Sequence, residues 1–283
     1  MKHLLIGFSL IGCMLYANAQ PNTEVYLFDI DIDGALSNPI NVSNNPGYDN
    51  QPSFSSAGGT LLYASTRNGQ TDIIKYELAS QKKVWLSDTP GGEYSPVQIP
   101  GSFECSAVQL EQDGRQLLWR YSLNGGKGQI LIPYLKIGYH AWVNENLMFA
   151  FVLGPQSTLQ KLDIKNQRAE IIRENIGRSL HHIASRNALS FIDKANEEWL
   201  IKLLDINSFE ETTLTRTPED SEDMVWTNQG LILMGDKNLL LRYNPGTDLD
   251  WELVADLSDY GLGNISRLAM HPSGEKIAIV VFE

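Results

Sequence analysis

Cysteine is nearly missing from this 283-residue chain: there are two, Cys13 and Cys105. Cys13 lies in an N-terminal apolar run, so a chain cut beyond it keeps Cys105 alone and forms no internal disulfide. A core of this size does not require one. Cys105 sits in an alternating apolar run, Phe103 to Val108, with no cation nearby in sequence to lower its pKa, and reads as a buried small residue. Basic side chains are also sparse, 22 Lys+Arg against 34 Asp+Glu, for a net charge of −12. That balance argues against nucleic acid or anionic headgroups as partners and is compatible with cation association. Helical periodicity is absent, and no second apolar stretch of membrane length follows the first. Enzyme signatures are missing too: no G-x-S-x-G elbow, no H-E-x-x-H, no glycine-rich loop before a helix, and no S-x-D-x-G-x-x-W box.

What is present begins with a leader. Met1-Lys2-His3 is a short positive start, Leu4 to Tyr16 carries no charge, and Ala17-Asn18-Ala19 reads as a cleavage site before Gln20. The sequence therefore divides into a signal peptide over 1–19 and a single domain over 20–283, placed in the periplasm or secreted. A second reading makes Leu10-Ile11-Gly12-Cys13 a lipobox, with Cys13 as the lipid anchor. Either way the mature chain leaves the cytoplasm.

Repeats set the architecture. Tyr76, Tyr121, Leu162, Leu204 and Tyr243 end short apolar strands spaced 39 to 45 residues apart, and Leu61, Phe103, Leu147, Leu189, Leu231 and Ile277 form a second series of similar step. Two series with one period of about forty residues are the mark of a propeller with four strands per unit. Asn68-Gly69 and Asp113-Gly114 are expected to be type I′ hairpins between second and third strands. Matching loops, Ser43-Asn44-Asn45-Pro46, Ser87-Asp88-Thr89-Pro90 and Thr215-Arg216-Thr217-Pro218, lead into three units. The last unit, starting near Ile265, has length for only two strands. The N-terminal pair, Glu24 to Asp29 and Pro39 to Ser43, supplies the missing two. The expected fold is all-β: a six-bladed β-propeller of four-stranded antiparallel blades, closed by pairing N-terminal strands with the C-terminal blade.

The segment Pro46 to Gly69, with Gln51-Pro52-Ser53-Phe54-Ser55 and Ser65-Thr66-Arg67-Asn68-Gly69, resembles the TolB-type propeller repeat, a WD40-like unit; His271-Pro272-Ser273-Gly274 is a second partial match. The resemblance implies an exported cell-envelope propeller that binds protein partners. TolB-type proteins also carry an α/β domain before the propeller, for which the segment between Ala19 and the first strand leaves no length. Related repeats occur in secretion systems, beside peptidases and in polysaccharide lyases, so function does not follow from the repeat alone.

Two constellations are candidates for chemistry. Aligning the blades on their first turns brings Gln51, Ser95, His140, His181, Asp223 and Arg267 to equivalent positions at the channel mouth; a one-residue shift would exchange His181 for His182. The preceding ring would be Asn50, Tyr94, Tyr139, Leu180, Glu222 and Ser266. Histidine and carboxylate suit a divalent cation, and arginine suits a carboxylate or phosphate, although propeller channels are commonly polar without any ligand. Asp29, Asp31 and Asp33, followed by Gly34, open like a calcium loop, but the twelfth position is Ile40 rather than glutamate, so an ordinary Asp-Gly hairpin is the competing reading. Glu197-Glu198, Glu210-Glu211 and Glu222-Asp223 read as solvated loop charges. The functional expectation is a monomeric protein- or ligand-binding scaffold; the alternative is a lyase or hydrolase acting on an acidic or glycan substrate through His140, His181, Asp223 and Arg267.

Overall fold

The structure is a computed structural model that describes residues 20–219 and 221–283. The leader, with its cleavage site at Ala19 and the alternative anchor Cys13, lies outside the described residues. The chain opens with β1 (Thr23–Ile30) and β2 (Leu36–Asn41). Blade 1 follows as β3 (Asp49–Phe54), β4 (Thr60–Arg67), β5 (Gln70–Glu77) and β6 (Lys82–Trp85). Blade 2 is β7 (Gly92–Gln98), β8 (Glu104–Leu110), β9 (Gln116–Ser122) and β10 (Gln129–Ile132). Blade 3 is β11 (Ile137–Asn144), β12 (Leu147–Val152), β13 (Thr158–Asp163) and β14 (Arg168–Glu174). Blade 4 is β15 (Ile176–Ile183), β16 (Ala188–Asp193), β17 (Leu200–Asp205) and β18 (Glu211–Arg216). Blade 5 is β19 (Met224–Trp226), β20 (Ile232–Asp236), β21 (Leu239–Tyr243) and β22 (Glu252–Asp256). Blade 6 takes β23 (Ile265–Met270) and β24 (Lys276–Phe282) from the end of the chain and β1 and β2 from its beginning, in the order β2-β1-β24-β23. Every sheet is four-stranded and antiparallel, and the ring has the six blades expected from the repeat.

Closure is a seven-residue ladder between β1 and β24, running from Thr23 opposite Phe282 to Asp29 opposite Lys276. It satisfies backbone groups that an open edge would expose. The burial pattern follows from the stacking of blades. Middle strands are covered on both faces and read as near-continuous apolar runs, as in β16, where every residue is buried. Outer strands such as β14, Arg168–Glu174, alternate loosely and stay exposed. The core accordingly lies in the seams between blades. Phe28, Leu233 and Ile279 fill the seam of blades 5 and 6; Val25, Leu61 and Tyr63 fill that of blades 6 and 1. Phe149, Leu180 and Phe191 do the same between blades 3 and 4.

Strand pairing corrects two details of the sequence reading and agrees with a third. The residue opposite Tyr121 is Cys105, just as Leu61 lies opposite Tyr76. Cys105 is therefore the blade 2 core anchor, fully buried with its thiol pushed up to about 12 by burial, while Phe103 is 80% exposed. Asn68 and Gly69 both have positive φ, 51° and 78°, as a type I′ turn requires. At Asp113-Gly114 only the glycine does, because Leu110 pairs with Gln116 and leaves a five-residue loop.

Candidate functional site

The innermost strands β3, β7, β11, β15, β19 and β23 face the central channel. Phe54, Gln98, Trp142, His182, Trp226 and Met270 pair with the core anchors of their second strands. Counting back three residues from each gives the true equivalent ring: Gln51, Ser95, Tyr139, Ser179, Asp223 and Arg267. Four of these coincide with the ring expected from sequence. In blade 3 the equivalent is Tyr139 instead of His140, because the connection from Trp142 to Met148 is one residue shorter than that from Phe54 to Leu61. In blade 4 it is Ser179 instead of His181, two residues earlier on β15, whose hairpin closes through a 3-10 turn, Ala184–Arg186, ending on left-handed Asn187.

Both histidines still line the same small cavity, of about 110 Å³, together with Gln51, Asp223 and Arg267. His140 is buried, with Nε2 2.6 Å from Ser106 Oγ and Nδ1 without a partner. Burial pushes its pKa down to about 4, so it is neutral at pH 7. His181 Nε2 lies 3.2 Å from Ser179 Oγ, and its pKa is lowered by burial against the opposing pull of Met224 O and Asp223.

A polar lattice closes the channel above this cavity. Arg267 Nη1 donates to Asp223 Oδ2 at 2.9 Å, and its Nη2 donates to the Tyr139 hydroxyl at 3.1 Å. Gln51 Nε2 donates to the same hydroxyl from blade 1 at 3.3 Å, while Gln51 Oε1 accepts from Ser95 N at 2.9 Å. Gln51 and Ser95 hold positive φ, 56° and 51°, each immediately before a proline. That backbone turn sets them out of the regular pleat.

Asp223 also accepts from Arg178, at 3.1 Å from Nε and 2.5 Å from Nη2. Arg178 Nη1 is 3.5 Å from Glu222, which in turn lies 3.4 Å from Lys194. Burial disfavours the Arg178 charge, but Asp223 and Glu222 outweigh it and raise its pKa. Arg178 was not singled out from sequence. Its one local signal is the preceding Gly177, where a Cβ would come within 3.2 Å of Glu222 Oε1 and hold blades 4 and 5 apart. Glu222 and Asp223 are partly buried members of this lattice, not solvated loop charges.

Outside the lattice the mouth widens into a cavity of about 540 Å³ bounded by blades 4, 5 and 6 and by Tyr48 and Asn50 at the start of blade 1. Arg178, Asp223 and Arg267 form its floor; Glu219, Asp236 and Lys237 stand on its wall. Arg267 Nε and Ser266 Oγ are buried at this floor without hydrogen-bond partners among the described residues. The arrangement can grip a polar chain segment by hydrogen bonds and ion pairs.

The aspartate hairpin is engaged piecewise. Asp29 bonds Lys276 and Asn38, which hold its carboxyl below the usual range, and Asp31 Oδ1 accepts from the backbone of Asp33 and Ala35. Asp33 lies exposed in the turn before Gly34, whose φ is 96°. Among the described residues no three His, Cys, Asp or Glu side chains are gathered as metal ligands, and no helix is long and apolar enough to cross a membrane.

No family model matches the chain. The Tol-Pal system protein TolB of Gluconobacter oxydans (strain 621H) is 35% identical over 81 residues, 29% of this chain but only 17% of that relative's length. Among solved structures, a putative TolB from Agrobacterium tumefaciens superposes with a TM-score of 0.74 at 12% identity, covering 93% of this chain and 99% of the other. An oligogalacturonate lyase in complex with manganese superposes with a TM-score of 0.57, also at 12% identity, over 90% of this chain and 82% of the other. With its six closed blades and this likeness, the chain has the β-propeller fold of the TolB structures.

Proposed function

We propose that the protein is an exported propeller of the cell envelope that holds a protein or peptide partner at the channel mouth. The observation that carries this reading is the 540 Å³ cavity floored by Arg178, Asp223 and Arg267. The hydrogen-bonded lattice beneath it bars the channel, so the mouth rather than the interior offers a surface to a partner. Supporting it are the leader over 1–19, cut after Ala19 or anchored at Cys13, the partial match to a Tol-Pal protein, and the acidic balance of the chain. The protein acts as a monomer and takes no nucleic acid. The test is affinity capture from envelope extracts with the native protein and an Arg178→Ala, Arg267→Ala double variant. One stoichiometric partner, lost in the variant, is expected. No partner, or equal capture by both, would count against the reading.

A second reading has its own support. His140, His181, Asp223 and Arg267 line one cavity, and a lyase with manganese shares the fold. In that case a neutral histidine serves as base, a divalent cation or Arg267 neutralises a substrate carboxylate, and the substrate is an acidic glycan. Incubation with oligogalacturonate and manganese, followed by absorbance of an unsaturated product, separates the two. Turnover abolished by His140→Ala favours the lyase.

A further inference from the structure

The seam between blades 1 and 2 opens on its outer side into a separate cavity of about 650 Å³. We propose that it binds a neutral pyranose sugar. Its walls are aromatic: Trp119 stacks on Tyr121 with ring centroids 6.4 Å apart, and Trp85 stands opposite with the Arg67 guanidinium 4.2 Å above its ring. The charged lining is balanced, Arg67 and Lys127 against Asp88 and Glu111, on a chain whose net charge is −12. Arg67 is held by Asp72 at 3.1 Å and Asp88 at 3.2 Å, whereas Lys127 and Glu111 enter no ion pair among the described residues.

Trp119 is partly exposed at this wall, with its Nε1–H sealed inside it and the rest of the indole left as a platform. The loop that closes the cavity, Asn124 to Gly128, presents bare backbone at its three glycines and a charged side chain at Lys127. A Cβ at Gly125 or Gly126 would meet nothing within 4 Å, and one at Gly128 would fall 2.5 Å from the Tyr121 ring.

Geometry alone does not explain this lining. The equivalent seam of blades 4 and 5, entered by the matching loop Thr215 to Pro218, holds a cavity of about 630 Å³ walled by Trp199 and Trp251. There Glu197, Glu198, Glu219, Asp236 and Asp250 face the single cation Arg216. The fold supplies both hollows; the charge balance belongs to the first. A carboxylate ligand would be repelled by Asp88 and Glu111, and an ammonium by Arg67 and Lys127. A wholly apolar ligand would strip water from these charges. Hydroxyls both donate and accept, and the C–H face of a pyranose covers an indole, so a sugar satisfies donors, acceptors and walls together.

Calorimetric titration with cellotetraose, maltotetraose and chitotetraose tests the assignment. At least one should bind with a submillimolar Kd. Trp119→Phe exchanges the indole platform for a smaller ring. It and Lys127→Ala should each leave the Tm in place and weaken binding ~5-fold or more. Glu111→Gln, which keeps size while removing charge, should weaken it less. The proposal is overturned if none of the three sugars binds at about 5 mM, if affinity is unchanged in both Trp119→Phe and Lys127→Ala, or if a blocked aromatic peptide occupies the cavity and no sugar does.

Discussion

Trp142 Nε1 donates to Ser106 Oγ at 2.9 Å across the seam of blades 3 and 2, and the same oxygen lies 2.6 Å from His140 Nε2. The pair recurs two blades on, where Trp226 Nε1 donates to Ser190 Oγ at 2.8 Å. Both serines sit on second strands and both tryptophans on the innermost strands of the next blade, so one hydroxyl bolts two sheets together.

Removing that hydroxyl strands two buried groups at one seam but one at the other. Ser106→Ala is expected to cost about 2–3 kcal/mol, and Ser190→Ala about 1–2 kcal/mol. Urea denaturation with unchanged m-values would measure both. Equal losses at the two seams would show that His140 contributes nothing through Ser106.

The channel lattice makes a different forecast. Asp223 is the common acceptor for Arg178 and Arg267, and Asp223→Asn strips Arg267 of its counter-charge and leaves Arg178 with Glu222 alone. A loss of about 1–3 kcal/mol is expected, because removing one partner exposes the desolvation cost of the others. Tyr139→Phe deletes only a hydroxyl between Gln51 and Arg267 and should cost about 1 kcal/mol, with partner capture reduced if the lattice shapes the mouth.

Stability should rise as pH falls from 8 toward 6. Glu93 is raised to about 7, chiefly by burial and then by neighbouring Asp72, and Asp49 is raised to about 6 by burial. Both folded values lie above those of the unfolded chain, so the native state binds protons that the unfolded state does not. The stabilisation is complete below the unfolded carboxylate range and is lost as pH rises through about 6 and about 7. His140, lowered to about 4, opposes this below the ordinary histidine range, where the unfolded chain takes up the proton first. Thermal melts of Glu93→Gln should show a flatter rise between pH 8 and 6 than the native protein.

Calcium should leave the melting temperature where it is. Asp29 is committed to Lys276 and Asp31 to its own turn, so the three aspartates do not share one centre. A rise in Tm on adding calcium, abolished by Asp31→Asn, would restore the cation reading.

Blade number and closure were legible because each blade repeats an apolar strand and a turn at fixed spacing, and an orphan pair at one end answers a deficit at the other. The phase of each strand was harder to read. Apolar character locates a strand but does not say which residue faces which sheet once turns differ by one residue, as at Trp142 to Met148. Phe103 mimicked the anchor that Cys105 provides, because a small thiol is a weaker hydrophobic signal than a phenyl ring two residues away. Tyr139 was placed one ring too early and Arg178 escaped for a related reason: a channel residue is recognised by its partners on other blades, and Gln51, Asp223 and Glu222 lie more than forty residues away in sequence.

The β1–β24 ladder has a consequence for biosynthesis. A ribosome releases Thr23–Ile30 long before Lys276–Phe282 exists, so the edge of β1 that will face β24 waits unpaired for almost the whole of translation. During that interval the nascent protein carries an adhesive strand at its leading end, and whatever shields it until the final residues emerge determines how much of the product reaches the native circle.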